Sequence, residues 1–480
     1  VIQLRHYIDG RFVDSVGGAT FDDPEPARGT TLAIVARGGA DDVDAAAAAA
    51  HRALAGAWGR TTPVERAAAL DAIAAGIEAR AEEFAVAESR DTGKPVALAR
   101  AVDVARTVAN FRFFAGAVRH QSDGFHDMGG AINYTLRKPV GVFGLITPWN
   151  LPAYLASWKI APALAMGNAV VFKPSEVTPY TAGLIAEVVD SVGLPAGTFN
   201  LVHGFGAEVG QRIVEHEDIA GISFTGGTAT GQRVGSTAAS RFKKLSLELG
   251  GKNPSVVFAD CDFEATVAGV ARAAFANQGQ ICLCGSRILV ERSLHDRFVA
   301  ALVERVEGLV IGDPADEATE FGSLVSQVHR DKVAGYVQLG RDEGGDVLTG
   351  GRVPDLAPEL SGGAFYAPTV IAGLAHDSRT ATEEIFGPVV TVHPFDSEEE
   401  AVAIANEVRY GLAASVWTTD LGRAHRVSRD LDSGMVWVNC WLLRDLRVPF
   451  GGMKDSGVGR EGGWNSLEFY SEARNVCIQL

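Results

Sequence analysis

The chain of 480 residues carries a net charge of −16 at pH 7 and no block of basic residues, which argues against nucleic acid and anionic membrane surfaces as main partners. Its length exceeds what one compact core organises and predicts two to three domains. The five cysteines, Cys261, Cys282, Cys284, Cys440 and Cys477, are an odd set without a CxxC pair, so a disulfide framework and a metal site are not expected, and a reducing cytoplasm is the natural setting.

The first residues, VIQLRHYIDGRFVDS, alternate polar and apolar around an Asp-Gly turn and read as a β-hairpin, not as a cationic then apolar leader. From Asp41 to about Val118 the chain is Ala-rich at helical spacing, and TTPVERAAALDAIAAG opens on a Thr-Pro start signal. AINYTLRKPVGVFGLITPWN then brings strand alternation, and AVVFKP, FNLVHG and GISFTGG follow as short β runs separated by helical segments. That alternation predicts a parallel α/β sheet. A second βα series runs from NPSVVFADCD to VVTVHPFDSEEEAVAIANEVRYGLAASVWTT and predicts a second lobe, with a cleft between the two. The closing SEARNVCIQL alternates like an edge strand, of the kind that pairs with another subunit. No stretch is long and apolar enough to span a bilayer, so a soluble protein is expected.

Several segments could carry chemistry. FTGGTATGQ follows a strand and would open a helix, so its amides could hold a phosphate; Gly226 and Gly231 are spaced GxxxxG, which equally fits a tight strand-to-helix turn. FKPSE ends a strand with Lys173 and Glu176, where a carboxylate can bind ribose hydroxyls or merely cap a helix. In KLSLELGGKNP, Leu245, Leu247 and Leu249 share one face and Ser246 and Glu248 the other, so Glu248 is either a surface charge or a base set between lobes. Cys282 and Cys284, in NQGQICLCGSR, point the same way in an extended segment, and spacing does not choose between them. WVNCWLLRDLRVPFGGMK sets Arg444 and Arg447 among apolar residues, where a guanidinium asks for an anion.

Together TPWNLP, FKPSE, FTGGTATG, LELGGKNP, NQGQICLCGSR, EEIFGPV and PFGGMKDSGVGREGG resemble the aldehyde dehydrogenase superfamily, in the same order and over essentially the whole chain. The resemblance implies an α/β fold of two lobes, one Rossmann-like and NAD-binding and one catalytic, with a small β oligomerisation flap. The implied bounds are 1–118 and 141–250 for the NAD-binding domain, 251–465 for the catalytic domain, and 119–140 and 466–480 for the oligomerisation segments of a homodimer or homotetramer. It implies Cys282 as nucleophile, Glu248 as general base and Asn150 as the amide of the oxyanion hole. Trp149, Lys173, Glu176, Gly204, Thr225, Gly226, Leu249, Glu384 and Phe386 match positions lining the cofactor. Gly227 departs from the family pattern, which usually has a Ser there to bond the pyrophosphate. A Glu at position 248 implies release of a free acid, since relatives that pass the acyl group to coenzyme A typically lack it.

Within that superfamily the chain is most similar to the 2-hydroxymuconic and 2-aminomuconic semialdehyde dehydrogenases, whose substrates carry a carboxylate far from the aldehyde. By that resemblance Arg444 matches a carboxylate-binding position. Arg106 is a second candidate, because in RAVDVARTVANFRFFAG it shares a stripe with Val102, Ala109 and Phe113 on an apolar helix face. The alternative for each arginine is an internal ion pair, with Asp445 or Asp103. Two other readings stand beside this one: a betaine-type or broad-range aldehyde dehydrogenase, whose cationic substrate two arginines would repel, and a structural protein of the same fold, which would not need Cys282, Glu248 and Asn150 together.

Overall fold

The computed structural model describes residues 1–480. His6–Ile8 and Arg11–Val13 pair antiparallel around Asp9 and Gly10, both at positive φ, the backbone a two-residue hairpin requires and Asp-Gly supplies. This hairpin forms one edge of an eight-stranded sheet. The five strands inside it run parallel in the order Lys244–Glu248, Gly221–Thr225, Val142–Ile146, Ala169–Lys173, Phe199–Leu201. The winding therefore reverses between Val142–Ile146 and Gly221–Thr225, and a crevice opens outside the carboxyl ends of strands at such a reversal.

Val142–Ile146 and Ala169–Lys173 are buried along their whole length because helices cover both faces. Val142, Ile146 and Val171 pack with Val43 and Ala47 of the Ala40–Ala55 helix. Their alternates Phe143, Leu145 and Phe172 pack with Ile160 and Leu164 of the Pro152–Ala165 helix. The expected helical layer is present as Ala40–Ala55, Pro63–Ala79, Ala81–Thr92 and Ala105–Arg119. Thr62 accepts from the Glu65 amide while Glu65 reaches back to the Thr62 amide, which is the start that TTPVER announces. Just ahead of Ala105–Arg119 the chain makes a π-helical turn, Ala99–Val104.

A second sheet has seven strands in the order Asp346–Thr349, Thr369–Ala372, Val389–Phe395, Arg287–Glu291, Pro254–Val257, Ala413–Trp417, Met435–Val438, all but the first pair parallel. Gly457–Val458 crosses back and pairs antiparallel with Leu247 and Glu248 on the first sheet. The closing strand Ser471–Gln479 pairs residue for residue with Ala131–Pro139 in a separate three-stranded sheet, of which it forms an edge. No helix is long and apolar enough to cross a membrane.

Candidate active site

The crevice at the sheet reversal is a cavity of about 250 Å³. Trp149 and Asn150 reach it from the end of Val142–Ile146, Thr225, Gly226 and Gly227 from the end of Gly221–Thr225, Leu249 from the end of Lys244–Glu248, and Cys282, Glu384 and Phe386 from the second lobe.

Cys282 is not in an extended segment, which corrects the sequence expectation. Asn277, Gln278 and Gly279 are all left-handed, with φ of 51°, 56° and 69°, and a Cβ on Gly279 would lie 2.3 Å from the Gly387 carbonyl oxygen. The chain leaves this turn already curled, and the Cys284 amide donates back to the Ile281 carbonyl at 2.9 Å. The two thiols therefore part: Cys282 lines the cavity, while Cys284 is buried in the large apolar core with its Sγ 3.8 Å from the Ala276 carbonyl. Asn253 Nδ2 donates to the Cys282 carbonyl at 2.7 Å and the Cys284 carbonyl at 2.9 Å, and pins the loop. Burial, then the Glu248 and Glu384 carboxylates, push the Cys282 thiol well above its ordinary pKa. At neutral pH it rests as a thiol and needs a base.

Glu248 ends its strand on the face opposite Leu247, as alternation predicts, but it is no surface charge: it is 4 % exposed and neither carboxylate oxygen has a partner. Burial raises its pKa well above the carboxylate range and nearby Glu461 adds to the rise, while Lys159, Arg444 and Arg460 oppose it. Glu461 is paired with Lys159 at 2.8 Å, and Ser223 Oγ lies 2.8 Å from Lys159 Nζ and 3.1 Å from Glu461.

Asn150 donates one Nδ2 hydrogen to the Gln280 carbonyl at 2.9 Å, which leaves the other free. Its own carbonyl accepts from Lys94 Nζ at 3.0 Å and Asn277 Nδ2 at 3.1 Å. Glu384 accepts from the Gly251 amide at 2.9 Å, and a Cβ on Gly250 would sit 2.2 Å from its other carboxylate oxygen, so that glycine makes room for the acid.

Of the other expected cofactor residues, Lys173, Glu176, Gly204 and Gly231 lie outside this cavity. Lys173 is buried and bonds the Pro174 carbonyl at 2.8 Å and Glu176 at 3.1 Å. Gly204 is a close-approach glycine whose Cβ would fall 2.6 Å from Val209. Gly231 lets its helix approach the neighbouring strand, since a Cβ there would lie 2.3 Å from Leu249. Gly227 is the uncapped N-cap of the Thr228–Ala239 helix, and a Cβ on it would meet nothing within 4 Å.

Both ion-pair alternatives for the arginines are overturned. Asp445 pairs with the exposed Arg447 at 2.6 Å, and Asp103 pairs with Lys94 at 2.8 Å. The Arg444 guanidinium is stacked on Phe450 at 4.1 Å and Trp158 at 4.4 Å, and its Nη1 donates to the Tyr154 hydroxyl at 3.0 Å. Its Nε and Nη2 are buried without partners. The Arg106 guanidinium lies 5.8 Å from the Tyr154 ring centre, so both arginines converge on one tyrosine.

Residues 12–476 match the model of the aldehyde dehydrogenase family. The chain belongs to that family. Among curated aldehyde dehydrogenases it is 52 % identical to 2-aminomuconic 6-semialdehyde dehydrogenase of Pseudomonas sp., over 100 % of this chain and 98 % of the relative. It is 50 % identical to 2-hydroxymuconic semialdehyde dehydrogenase of Pseudomonas sp. strain CF600, over 100 % of both. Among solved structures it superposes on a putative aldehyde dehydrogenase from Burkholderia cenocepacia with a TM-score of 0.98 and 44 % identity, over 100 % and 98 % of the two chains. Betaine aldehyde dehydrogenase from Staphylococcus aureus in complex with NAD+ gives 0.97 and 39 %, over 100 % and 95 %.

In this aldehyde dehydrogenase, sequence reasoning missed Tyr154, Trp158, Lys159, Phe450 and Glu461, and also His329, which lines the cavity with its ring 4.9 Å from that of Trp149. Tyr154 and Lys159 sit on an almost wholly buried helix, so no amphipathic stripe separates site from core. The legible signal was a Lys inside an apolar helix, which demands a buried anion. Glu461 answers it from far along the chain.

Proposed function

We propose that this aldehyde dehydrogenase oxidises an aldehyde bearing a distal carboxylate, of the 2-hydroxymuconate or 2-aminomuconate 6-semialdehyde type, to the free acid with NAD. The observation that carries the substrate class is Arg444, a half-buried cation with two buried, unpartnered donor nitrogens, held beside Arg106 over Tyr154. Such a guanidinium is stabilised by an incoming carboxylate, and the planar fork suits one.

The residues of the crevice also fit the cofactor. The Thr228–Ala239 helix starts without a side-chain cap, Gly227 leaves open space in front of it, and Thr225 Oγ1 is buried without a partner, a cradle suited to a pyrophosphate. Thr225, Gly226 and Gly227 would hold the phosphates there, with Trp149, Leu249, Glu384 and Phe386 along the cavity wall. Glu176 and Lys173 would meet the adenosine ribose, and the Glu176 carboxylate favours NAD over a 2′-phosphorylated cofactor. Gly204 and Gly231 contribute by allowing close packing. When bound, NAD supplies the hydride acceptor.

Cys282 Sγ attacks the aldehyde carbon, with Glu248, once ionised, taking the thiol proton directly or through water. The oxygen that becomes an anion accepts from the free Asn150 Nδ2 hydrogen and the Cys282 amide. Loss of hydride leaves a thioester on Cys282. Glu248, after passing the thiol proton to solvent, deprotonates the water that cleaves the thioester and returns that proton to the leaving sulfur, releasing acid and thiol. The Lys159–Glu461–Ser223 cluster behind Glu248 gives its proton a polar surrounding in an otherwise apolar interior.

Five free cysteines fit a reducing cytoplasm. The open edge Ser471–Gln479, with Ile478 and Leu480 exposed, suits a homodimer or homotetramer interface formed by 119–140 and 466–480, beside an NAD-binding domain of 1–118 and 141–250 and a catalytic domain of 251–465. The deciding experiment is kcat/KM on aldehydes of equal length with and without a terminal carboxylate, in wild type and Tyr154→Phe. The expected result is preference for the carboxylate, reduced in the variant; equal values for both aldehydes overturn the substrate class.

A further inference from the structure

Lys94 is wholly buried, beyond reach of solvent or any ligand in the cavity. It follows Gly93, the left-handed cap of the Ala81–Thr92 helix, and its ammonium turns inward to two hydrogen-bond acceptors and a third, more distant carboxyl oxygen. Nζ lies 2.8 Å from Asp103 Oδ1, 3.0 Å from the Asn150 carbonyl and 3.8 Å from Glu88 Oε1. Glu88 and Asp103 are as buried as the lysine. Glu88 in turn lies 3.4 Å from the Ala153 amide, in the first turn of the helix that carries Tyr154.

Asp103 sits inside the π-helical turn Ala99–Val104, and its carbonyl accepts from Thr107 Oγ1 at 2.7 Å. One residue added to a turn rotates everything beyond it by about 100° around the helix axis, so the π turn decides which face of Ala105–Arg119 meets Tyr154. Arg106 lies within the first turn after it. A single buried cation therefore bonds the backbone of Asn150 on one side and the turn that aims Arg106 on the other.

We infer that Lys94 is a positioning residue that holds the Asn150 amide and the Arg106 guanidinium at a fixed separation, matching the length of the substrate between its reacting carbonyl and its far end. An uncharged side chain in place of Lys94 would leave the buried acids Glu88 and Asp103 beside each other without the cation between them. Asn150 would keep its bond to Gln280 but lose a main-chain anchor. Misplacement of a reacting group by about 1 Å costs on the order of 10²-fold in rate.

This inference rests on the oxyanion role proposed for Asn150, and the test separates the two by a double-mutant cycle. Lys94→Met, Asn150→Ala and the double variant are compared in the full-length enzyme by kcat on a neutral and a carboxylate-bearing aldehyde, with melting temperature measured for each. Lys94→Met is expected to lower kcat about 10²-fold on both aldehydes, and the double variant to be no slower than Asn150→Ala alone. Losses that multiply while Asn150→Ala is itself costly overturn this inference and leave the oxyanion reading standing. A harmless Asn150→Ala overturns both. Asp103→Asn, which keeps the lysine and the side-chain shape, gives an independent arm should Lys94→Met fail to fold. It is expected to raise KM about tenfold for the carboxylate-bearing aldehyde alone, and to have no effect in an Arg106→Ala background. An equal KM change for both aldehydes, or the same change without Arg106, overturns the coupling.

Discussion

On the proposed reading, the cofactor side of the crevice and the substrate side beyond its wall are built by different means. On the cofactor side the working groups are backbone amides and the glycines that expose them, set at strand ends by the winding of one sheet. Gly227 and Gly231 act by what they lack. On the substrate side the working groups are long side chains with partners from remote segments. Arg444 meets Tyr154, Trp158 and Phe450, and the loop that carries it has no regular structure. Topology suffices to make the crevice; the proposed choice of aldehyde would rest on a handful of side chains packed on one helix.

The largest expected effect falls on the residue the two sides share. Cys282→Ser should abolish steady-state turnover, while Cys284→Ser, in the core, keeps most of it; the check is NADH formation together with mass spectrometry of the acylated peptide. A thioester found on Cys284 would break the division between a cavity thiol and a core thiol.

Glu248→Gln comes next, with turnover reduced about 10² to 10⁴-fold and acyl-enzyme accumulating after a first burst of NADH. Unchanged steady-state turnover would return Glu248 to a structural role. The pH dependence has a definite sign. Burial raises the pKa values of both Cys282 and Glu248, so alkylation of the free enzyme by iodoacetamide should be slow at neutral pH and rise toward alkaline pH.

Arg444 against Arg447 sharpens the substrate side, because the two stand three residues apart with opposite surroundings. Arg444→Ala should cost about 2 to 5 kcal/mol on the carboxylate-bearing aldehyde, mainly in KM, and little on a neutral one. Arg447 is 80 % exposed in its side chain and paired with Asp445, so Arg447→Ala should hardly change the melting temperature and leave both aldehydes alone. Equal loss on both aldehydes in Arg444→Ala would mean that the guanidinium only fills space.

The smallest effect tests the cofactor side. Gly227→Ser has room for its side chain, and an N-cap change between Gly and Ser is worth only about 0.3 kcal/mol. Melting temperature should hardly move, and NAD affinity measured by calorimetry should rise modestly. A fall in affinity would show that the cradle needs its glycine.

Sequence reached these residues unevenly, for physical reasons. The strand alternation that turns Glu248 away from Leu247 is local and was legible. That Glu248 is buried was not, because Lys159 and Glu461 come from a distant helix and a distant loop. The two cysteines could not be told apart from spacing, since three consecutive left-handed residues break the extended path, and only the Gly279 among them advertises it. Arg106 announced itself as a cation on an apolar stripe; its tyrosine partner did not, because aromatic residues on a buried helix read simply as core. The pairing of Asp445 with Arg447 and not Arg444 is set by loop geometry within four residues, below what composition resolves.

The two-residue strand Gly457–Val458 has a consequence for how the enzyme comes off the ribosome. It supplies the outermost hydrogen bonds to Leu247 and Glu248, so the first sheet keeps an unpaired edge until nearly the whole chain has been translated. Ala131–Pro139 waits likewise for Ser471–Gln479. An exposed edge is a template for pairing with other chains, and slow closure of distant strands prolongs that exposure. Premature termination before Gly457 therefore yields a polypeptide that carries almost all of both lobes and still presents two sticky borders, which makes stalled synthesis, more than heat, the moment of greatest risk for aggregation.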